Sequence, residues 1–372
     1  MQAMPGTFLF PGKVLAAPGA IGNLLSEARA FGARGVVVHG RALAQSAALL
    51  KRLSNAPRDM AVIIHAHAGG EPTLAHAEAL LARARAHRAD WIAGVGGGSV
   101  MDLAKTAAGL FNAAGALAAY HDGAALEKPG IPFLAVPTTA GTGSEATPNA
   151  VLTNTDNGLK KSIRDASMVA RVALLDPDLT ALCPRPVIAH SGMDALTQAI
   201  EAFTSRHATA LSDALCREAL KLIAGNLESF HADPKGGAAH AMLCGSFLAG
   251  LALSMARLGV VHGIAHPLGA RFHVPHGHVC AAALPLALEL NRPAMGEKYE
   301  MLSREAGRDI LEFVEGLVRR LDIRPPFQSK PIRDCDAIVR ETLASGSTAA
   351  NPKPIERGDV EWMLDRLFLP GR

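Results

Sequence analysis

The chain has 372 residues, of which 49% are hydrophobic and 19% are charged, and its formal net charge is +3. A chain of this length and composition is expected to form two globular domains, which argues against a disordered protein. The small net charge, without basic blocks interleaved with aromatic residues, argues against nucleic acid as a partner.

Short apolar runs alternate with longer helical segments through the first half of the chain. The hydrophobic patterns predict strands at residues 35–39, 60–64, 91–95 and 132–136, and helices at 43–53, 74–87 and 99–110. This alternation is typical of a Rossmann-like α/β domain with a parallel sheet and helices on both faces. Ligands are therefore expected at the carboxyl ends of the strands.

The pattern changes after residues 171–175 and the Asp176-Pro177 pair that ends them. From Pro184 onward the sequence predicts only helices, and the clearest of these are at residues 193–203, 212–227 and 238–255. We therefore expect a dinucleotide-binding α/β domain over residues 1–179 and an all-α metal and substrate domain over 180–372. The active site is expected in the cleft between them, where pockets commonly form.

Three features bear on the location of the protein. Residues 1–12 lack the basic start and long apolar stretch of a secretory signal. The longest apolar stretch, residues 241–256, is shorter than the roughly 20 residues that span a bilayer, so we expect a buried helix and no membrane partner. The five cysteines are odd in number and far apart, which predicts no disulfide framework and favours the cytoplasm.

A glycine cluster, Gly96-Gly97-Gly98, separates the predicted strand WIAGV from a predicted helix. Glycine lets the backbone approach a phosphate closely, and the free N–H groups and dipole of a helix start favour its negative charge. Ser99 is expected to cap the helix and to donate to a phosphate. A tight turn without a ligand is the alternative, and the spacing differs from the GxGxxG fingerprint.

A second polar loop follows the predicted strand PFLAV. Its hydroxyl groups belong to Thr138, Thr139, Thr142 and Ser144. The end of a parallel strand is where a nicotinamide and its ribose are expected. An ordinary Ser/Thr/Gly loop explains the composition equally well, and only the combination with the glycine cluster favours a cofactor site.

Polar side chains suited to metal binding occur in the second half. Asp194 and Gln198 are four residues apart in a predicted helix, so they share one face. His262 and His276 follow, and imidazoles beside a carboxylate are common ligands for Fe²⁺ or Zn²⁺. For His273 and His278, an ordinary surface or hydrogen-bonded histidine is the simpler interpretation.

Several segments together resemble the motifs of the iron-containing (group III) alcohol dehydrogenases, in the same order. They are GGGSVMDLAK, PTTAGTGSEAT, LLDPDL, GMDALTQAIEAF and VHGIAHPLGARFHVPHG. The resemblance runs from about Phe8 through the helical half and is weakest over residues 324–372. It implies a dehydroquinate synthase-like fold and a homodimer that pairs through N-terminal strands.

The resemblance also implies a metal site. The family uses an Asp, a His four residues later and two further histidines, which correspond here to Asp194, Gln198, His262 and His276. A Gln oxygen is a weaker ligand than an imidazole nitrogen, so we expect the metal to be bound weakly or to be absent. His266 corresponds to a family histidine beside the reacting carbon and is the expected catalytic proton relay.

Cofactor roles follow from the same resemblance. It assigns them to Gly97, Gly98, Ser99, Asp102, Thr138, Thr142 and Lys160. NAD-preferring relatives resemble this chain around Gly40 but have an acidic residue there, which would repel the 2′-phosphate of NADP. Here Gly40 is followed by Arg41, so an NADP preference is expected.

The implied reaction interconverts a small alcohol and its aldehyde or ketone by hydride transfer. A related maleylacetate reductase is the first alternative, although this chain has Gly263, Ile264 and Ala265 where that group is more basic. A nucleotide-binding protein without catalysis is the second, and Gln198 gives it some support. The sequence leaves open the particular substrate and the direction of the reaction.

Overall fold

The computed structural model describes residues 7–44, 46–54 and 56–369. Within these residues, the first part of the chain contains eight strands: β1 Val14–Ala16, β2 Arg34–His39, β3 Ala61–Ala66, β4 Trp91–Gly96, β5 Phe133–Pro137, β6 Asn149–Thr153, β7 Lys160–Arg164 and β8 Val172–Leu175. It also contains six helices: α1 Leu24–Ala28, α2 Arg41–Ala44, α3 Ala47–Ser54, α4 Leu74–Ala86, α5 Gly98–Gly109 and α6 Leu117–His121. The four predicted strands correspond to β2, β3, β4 and β5. The single helix predicted over 43–53 is instead two helices, since it overlaps the end of α2 and most of α3. Residue 45 lies outside the described residues, as do residues 1–6.

Six of these strands form one sheet, in the order β1-β8-β5-β4-β2-β3, and every pair in it is parallel. From β2 the chain proceeds to β3 on one side and then to β4 on the other. The carboxyl ends of β2 and β4 therefore border the point where the strand order reverses, which is the usual ligand crevice of such sheets. Strands β6 and β7 form a separate antiparallel pair.

Helices cover both faces of this sheet. On one face Trp91, Ala93 and Val95 of β4 are buried in a hydrophobic core that also contains Leu24 of α1. On the other face Gly94 approaches α5 so closely that a Cβ atom there would lie 3.1 Å from the side chain of Ala104. Burial of alternating strand residues in this way is the main stabilising contribution to such a layered fold.

The second part of the chain is helical. Its helices are α7 Arg185–Thr204, α8 Ala210–Ala232, α9 Gly236–Ala256, α10 Val260–Phe272, α11 His276–Met295, α12 Glu297–Ala306, α13 Ile310–Arg320, α14 Cys335–Ala344 and α15 Arg357–Phe368. Short 3-10 turns occur at 20–23, 29–31, 144–146, 166–168, 177–182 and 348–350. Within the described residues no strand follows Pro184, as the sequence predicts.

By length and composition alone, α9 is apolar enough to cross a membrane. Its most apolar stretch is 56% buried inside the protein, which is typical of a core helix. This is the buried helix that the sequence predicts over residues 241–256, although it begins several residues earlier.

The chain divides into two compact units. One comprises Leu9–Cys183 together with Lys235–Leu243, and the other is made mainly of Pro184–Pro234 and the chain from Cys244 onward. The first turns of α9 therefore belong with the sheet. A division into folding domains at residue 179 stays a prediction.

Candidate functional site

Three loops meet at the carboxyl edge of the sheet. In the strand register His39 lies beside Val95, and Gly96 lies beside Pro137, so β2, β4 and β5 end side by side. The loops that follow contain Gly40, the glycine cluster and the threonine-rich segment. The structure thus brings together three segments that the sequence assigns separately to a cofactor.

The glycine cluster packs directly against the threonine-rich loop. A Cβ atom on Gly97 would lie 3.3 Å from the Thr139 side chain, and one on Gly98 would lie 2.7 Å from the Thr142 methyl group. The N-cap of α5 is Gly97, with extended backbone angles, and Ser99 is the second residue of the helix. The expectation that Ser99 caps the helix is therefore wrong, because the N-cap lies two residues earlier. The N–H groups of Gly98 and Ser99 lie at the start of this helix, where an anion is favoured.

A fully buried lysine ties α5 to the threonine-rich loop. The Lys105 Nζ donates to the backbone oxygens of Ser144, Thr147 and Asn149 at 2.5, 2.9 and 2.8 Å. Burial lowers the pKa of Lys105 to about 8, although the carboxylate of Asp102 acts in the opposite direction. Such a buried, fully bonded amine fixes the loop relative to the helix.

Asp102 contributes to the same network. Its carboxylate accepts from the Ser144 hydroxyl at 2.6 Å and from the Val151 N–H at 3.0 Å. Burial raises the pKa of Asp102, and the nearby Lys105 partly opposes this effect. Both oxygens of Asp102 are thus engaged within the protein, and this geometry favours a positioning role over direct contact with a cofactor. For Asp102 and Ser144 the cofactor assignment stays a prediction.

Two basic residues near this edge also have partners. The Lys160 ammonium pairs with the Glu71 carboxylate at 2.9 Å. The Arg41 Nε donates to the carbonyl oxygen of Ala68. Arg41 is otherwise exposed beside Gly40, where it is accessible to an anion.

The second cluster lies on one face of α7. Asp194, Gln198 and Glu201 are spaced by four and three residues, so they follow one another along the helix, and all three are buried. The Gln198 Nε2 donates to the Asp194 Oδ2 at 3.3 Å. This contact leaves Oδ1 as the oxygen of Asp194 that faces the histidines.

Glu201 orients His262 at the start of α10. One oxygen accepts from the Val261 N–H at 2.7 Å and the other contacts the His262 Nδ1 at 2.6 Å. The His262 Nε2 is thereby directed at Asp194 Oδ1, 3.3 Å away. Burial lowers the pKa of His262, but the carboxylates of Glu201 and Asp194 outweigh it and raise that pKa to about 10. The cluster therefore favours a positive charge.

Helix α11 brings His276 to the same place. The His276 Nε2 lies 3.7 Å from Asp194 Oδ1 and 3.6 Å from the Cys280 sulfur. A Cβ atom on Gly277 would lie only 2.4 Å from the backbone oxygen of His190 in α7. This glycine therefore permits the close approach of the two helices that places His276 beside Asp194.

The remaining histidines are arranged differently. His266, one turn after His262, is half-buried, and its ring centre lies 5.1 Å from that of His276. His278 stacks on His190 at 4.2 Å between ring centres and contacts the Arg324 carbonyl oxygen. His273 is exposed at the end of α10. His266 is thus next to the cluster, whereas His278 and His273 have ordinary structural surroundings.

The residues of this cluster fit a divalent metal ion. Asp194 Oδ1 and His262 Nε2 face each other at 3.3 Å, but both are buried and neither makes a hydrogen bond within the described residues. This is costly unless another group satisfies them. Ligand atoms of Asp194, His262, His276 and Cys280 all lie within 4.8 Å of one another. The Oε1 atom of Gln198 is also buried and lacks a partner in the described part of the chain.

Three residues of these two clusters were not predicted from the sequence. Glu201 is seven residues after Asp194 on the same helix face, and Cys280 is four residues after His276. Both spacings are visible in the sequence, but only the packing of α10 and α11 on α7 brings these two side chains to the cluster. Lys105 belongs to the quoted GGGSVMDLAK motif, yet nothing local indicates that its ammonium is buried.

Comparisons with known proteins cover nearly the whole chain. The family model for "Iron-containing alcohol dehydrogenase" matches residues 11–177, and that for "Fe-containing alcohol dehydrogenase family, C-terminal" matches residues 188–368. Long-chain-alcohol dehydrogenase 1 of Geobacillus thermodenitrificans is 36% identical over 375 residues, which covers 94% of this chain and 93% of the relative.

Solved structures agree with this match. A 1,3-propanediol oxidoreductase is similar with a TM-score of 0.91 and 29% identity, over 97% of this chain and 99% of the other. The sulfoacetaldehyde reductase of Bifidobacterium kashiwanohense, solved in complex with NAD⁺, has a TM-score of 0.90 and 26% identity, over 99% of this chain and 100% of the other.

Proposed function

Because the chain belongs to the iron-containing alcohol dehydrogenase family, we propose that it interconverts a small alcohol and its aldehyde or ketone with a nicotinamide cofactor. The cofactor, when bound, accepts or supplies the hydride. The observation that carries this proposal is the convergence of Asp194, His262 and His276, whose facing atoms lie 3.3 and 3.7 Å apart. The comparisons support this reaction and give no support to a maleylacetate reductase or to a protein without catalysis.

The residues of the chain have distinct tasks in this reaction. The first turn of α5, with Gly97, Gly98 and Ser99, holds the pyrophosphate, and Thr138, Thr139 and Thr142 line the same edge of the sheet. Asp194, His262 and His276 would hold a divalent metal, which supplies Lewis-acid polarisation of the substrate oxygen. A ring nitrogen of His266 exchanges the proton between that oxygen and solvent.

The cofactor preference is proposed to be for NADP(H). Strand β2 ends at His39, and the next residues are Gly40 and Arg41, so this strand end lacks the carboxylate that would repel a 2′-phosphate. Arg41→Ala should lower kcat/KM with NADPH by about tenfold, or about 1.4 kcal/mol, and leave that with NADH nearly unchanged. Arg58→Ala, at another exposed arginine, is the control. A natural protein that prefers NADH by about tenfold would contradict the proposal.

The strength of metal binding depends on Gln198. One carboxylate and two imidazoles, with an amide in place of the third imidazole, would by themselves bind an ion weakly. Gln198→His adds a ring nitrogen one turn from Asp194 and should tighten binding, as measured by chelator titration and elemental analysis. Stoichiometric, chelator-resistant metal in the natural protein would contradict weak binding and show that these three ligands are not the whole set.

The reaction is tested by following NADPH and NADH oxidation with a panel of aldehydes and ketones. The panel should include the aldehydes corresponding to long-chain alcohols and 1,3-propanediol, and also sulfoacetaldehyde, since these compounds occur in the names of relatives. Asp194→Ala should lower kcat/KM by about 100-fold or more. Asp233→Ala, at an exposed helix end, should leave kcat/KM unchanged. Absence of turnover across the panel with added Fe²⁺ and Zn²⁺ would refute the proposal.

The fold and the family also bear on the cellular location and the assembly. The fold is that of soluble enzymes in this family, and we propose a cytoplasmic location, which cell fractionation would test. The family resemblance also supports a homodimer.

A further inference from the structure

One turn after His276, Cys280 of α11 points into the same cluster. It is completely buried, and its sulfur lies 3.6 Å from His276 Nε2. Residues four apart on a helix lie one above the other, so one helix contributes both an imidazole and a thiol. The cluster thus contains a fourth potential metal ligand.

Three of the six separations among the four ligand atoms match those of a tetrahedral metal site. Metal–ligand bonds of about 2.0–2.3 Å place tetrahedral ligand atoms about 3.3–3.8 Å apart. The measured separations are 3.3 Å between His262 Nε2 and Asp194 Oδ1, 3.7 Å between His276 Nε2 and Asp194 Oδ1, and 3.6 Å between Cys280 Sγ and His276 Nε2. Each of the three values falls within that range.

Gln198 contacts the cluster through a hydrogen bond to Asp194. Its amide nitrogen donates to Asp194 Oδ2, which turns Oδ1 towards His262 and His276. The amide therefore positions the carboxylate. Since the nitrogen end of the amide faces Asp194, the carbonyl end is directed away from that oxygen.

We propose that Cys280 supplies the fourth protein ligand of the metal site, as a thiolate, together with Asp194, His262 and His276. This inference rests on the proposed function, because it specifies the metal site of the same enzyme. On binding, the thiol proton leaves to solvent and the sulfur lone pair occupies the position next to His276. Four protein ligands retain an ion more firmly than three, and a fifth position would take the substrate oxygen. A thiolate favours Zn²⁺ or Co²⁺ over harder cations.

The test uses Co²⁺ as a probe, because Co²⁺–thiolate complexes absorb in the near ultraviolet whereas complexes with only oxygen and nitrogen ligands do not. The full-length protein is stripped of metal with a chelator and titrated with Co²⁺. We expect a near-ultraviolet band at one equivalent. Cys280→Ser should abolish the band and weaken Co²⁺ binding by about 100-fold or more, since even partners outside the ligand set contribute 10- to 100-fold. Cys216→Ser, at another buried helical cysteine, should retain the band.

The outcomes separate this inference from the proposed function. Co²⁺ absorption in the visible without the near-ultraviolet band, or a band that persists in Cys280→Ser, would overturn the role of Cys280 and leave Asp194, His262 and His276 as ligands. Absence of Co²⁺ binding in the natural protein would overturn both the inference and the metal site, while the aldehyde panel independently tests the reaction. Thermal unfolding of the metal-free variants verifies that they fold. If Cys280→Ser does not fold, the Co²⁺ spectrum of the natural protein still decides the question.

Discussion

Glu201 would act on the proposed metal site through His262. One of its oxygens accepts from the Val261 N–H and the other contacts the His262 Nδ1. The Nε2 atom of His262 therefore faces Asp194. Glu201→Gln leaves one acceptor oxygen for two donors, and the imidazole loses its fixed orientation. We expect metal affinity, measured by competition with a chelator, to fall about 10- to 100-fold. Glu218→Gln, at an exposed position on α8, should change nothing. Equal affinities in the two variants would refute the positioning role.

Glu145 gives the stability of the protein a dependence on pH. Burial raises the pKa of this carboxyl from 4.5 to about 7, although its own backbone and Lys105 lower it. The folded state therefore binds more protons than the unfolded state within this window. The resulting stabilisation is complete below pH 4.5 and is lost as the pH rises through 7.

Glu145→Gln should remove this contribution. Between pH 4.5 and 7 the free energy of unfolding of the natural protein, relative to the variant, should fall with each pH unit by up to about 1.4 kcal/mol. Denaturant unfolding at several pH values measures the difference, and Glu127→Gln, at an exposed carboxyl elsewhere, controls for general effects. A constant difference between the natural protein and Glu145→Gln would contradict the assignment.

Among the elements, α5 and the threonine-rich loop are in contact at the proposed pyrophosphate site. Gly98→Val would place a side chain against Thr142, where a Cβ atom alone would lie 2.7 Å from the methyl group. Overpacking of about 1–3 kcal/mol would separate the two loops, so the Kd of the cofactor should rise about 10- to 100-fold. Fluorescence titration of NADPH measures this, and thermal unfolding verifies the fold.

The matched control for that variant is Gly225→Val. Gly225 also lies in a helix, but a Cβ atom there would meet nothing within 4 Å. Cofactor binding should be unaffected. If Gly98→Val binds NADPH as tightly as Gly225→Val does, the pyrophosphate does not lie at this loop.

Elements with clear periodicity were predictable, and others were not. Strands β2, β4 and β5 are almost entirely buried, and their apolar runs identify them. Strand β7, with the sequence KKSIR, has only one buried residue, so its polar composition gave no hydrophobic pattern that predicts a strand. Backbone hydrogen bonds to β6 in an antiparallel pair, rather than burial of apolar side chains, stabilise this strand.

For the whole molecule, the edge of the sheet indicates how two copies would pair. Strand β1 bonds to β8 on one side, and no other described strand pairs with its outer edge. Phe10 and Val14 nearby are 49% and 38% exposed. An unpaired edge with exposed apolar residues is suited to pairing with a second copy.

We therefore expect light scattering to give twice the chain mass. Val14→Lys puts a charge at this edge and should shift the protein towards the monomer. Leu343→Lys, which changes an exposed apolar residue on α14, should leave the assembly unchanged. A dimer that is insensitive to Val14→Lys would show that the copies pair elsewhere.

The sequence by itself determined the features that depend on local spacing. The glycine cluster at a strand end, the βα alternation and the Asp194–Gln198 pair on one helix face all follow from residues close together in the chain. Only the tertiary structure decided which distant groups meet. Glu201 reaches His262 across 61 residues, and Cys280 joins Asp194 because Gly277 allows α11 to approach α7 closely. Such contacts depend on the packing of helices remote in sequence, which periodicity does not encode.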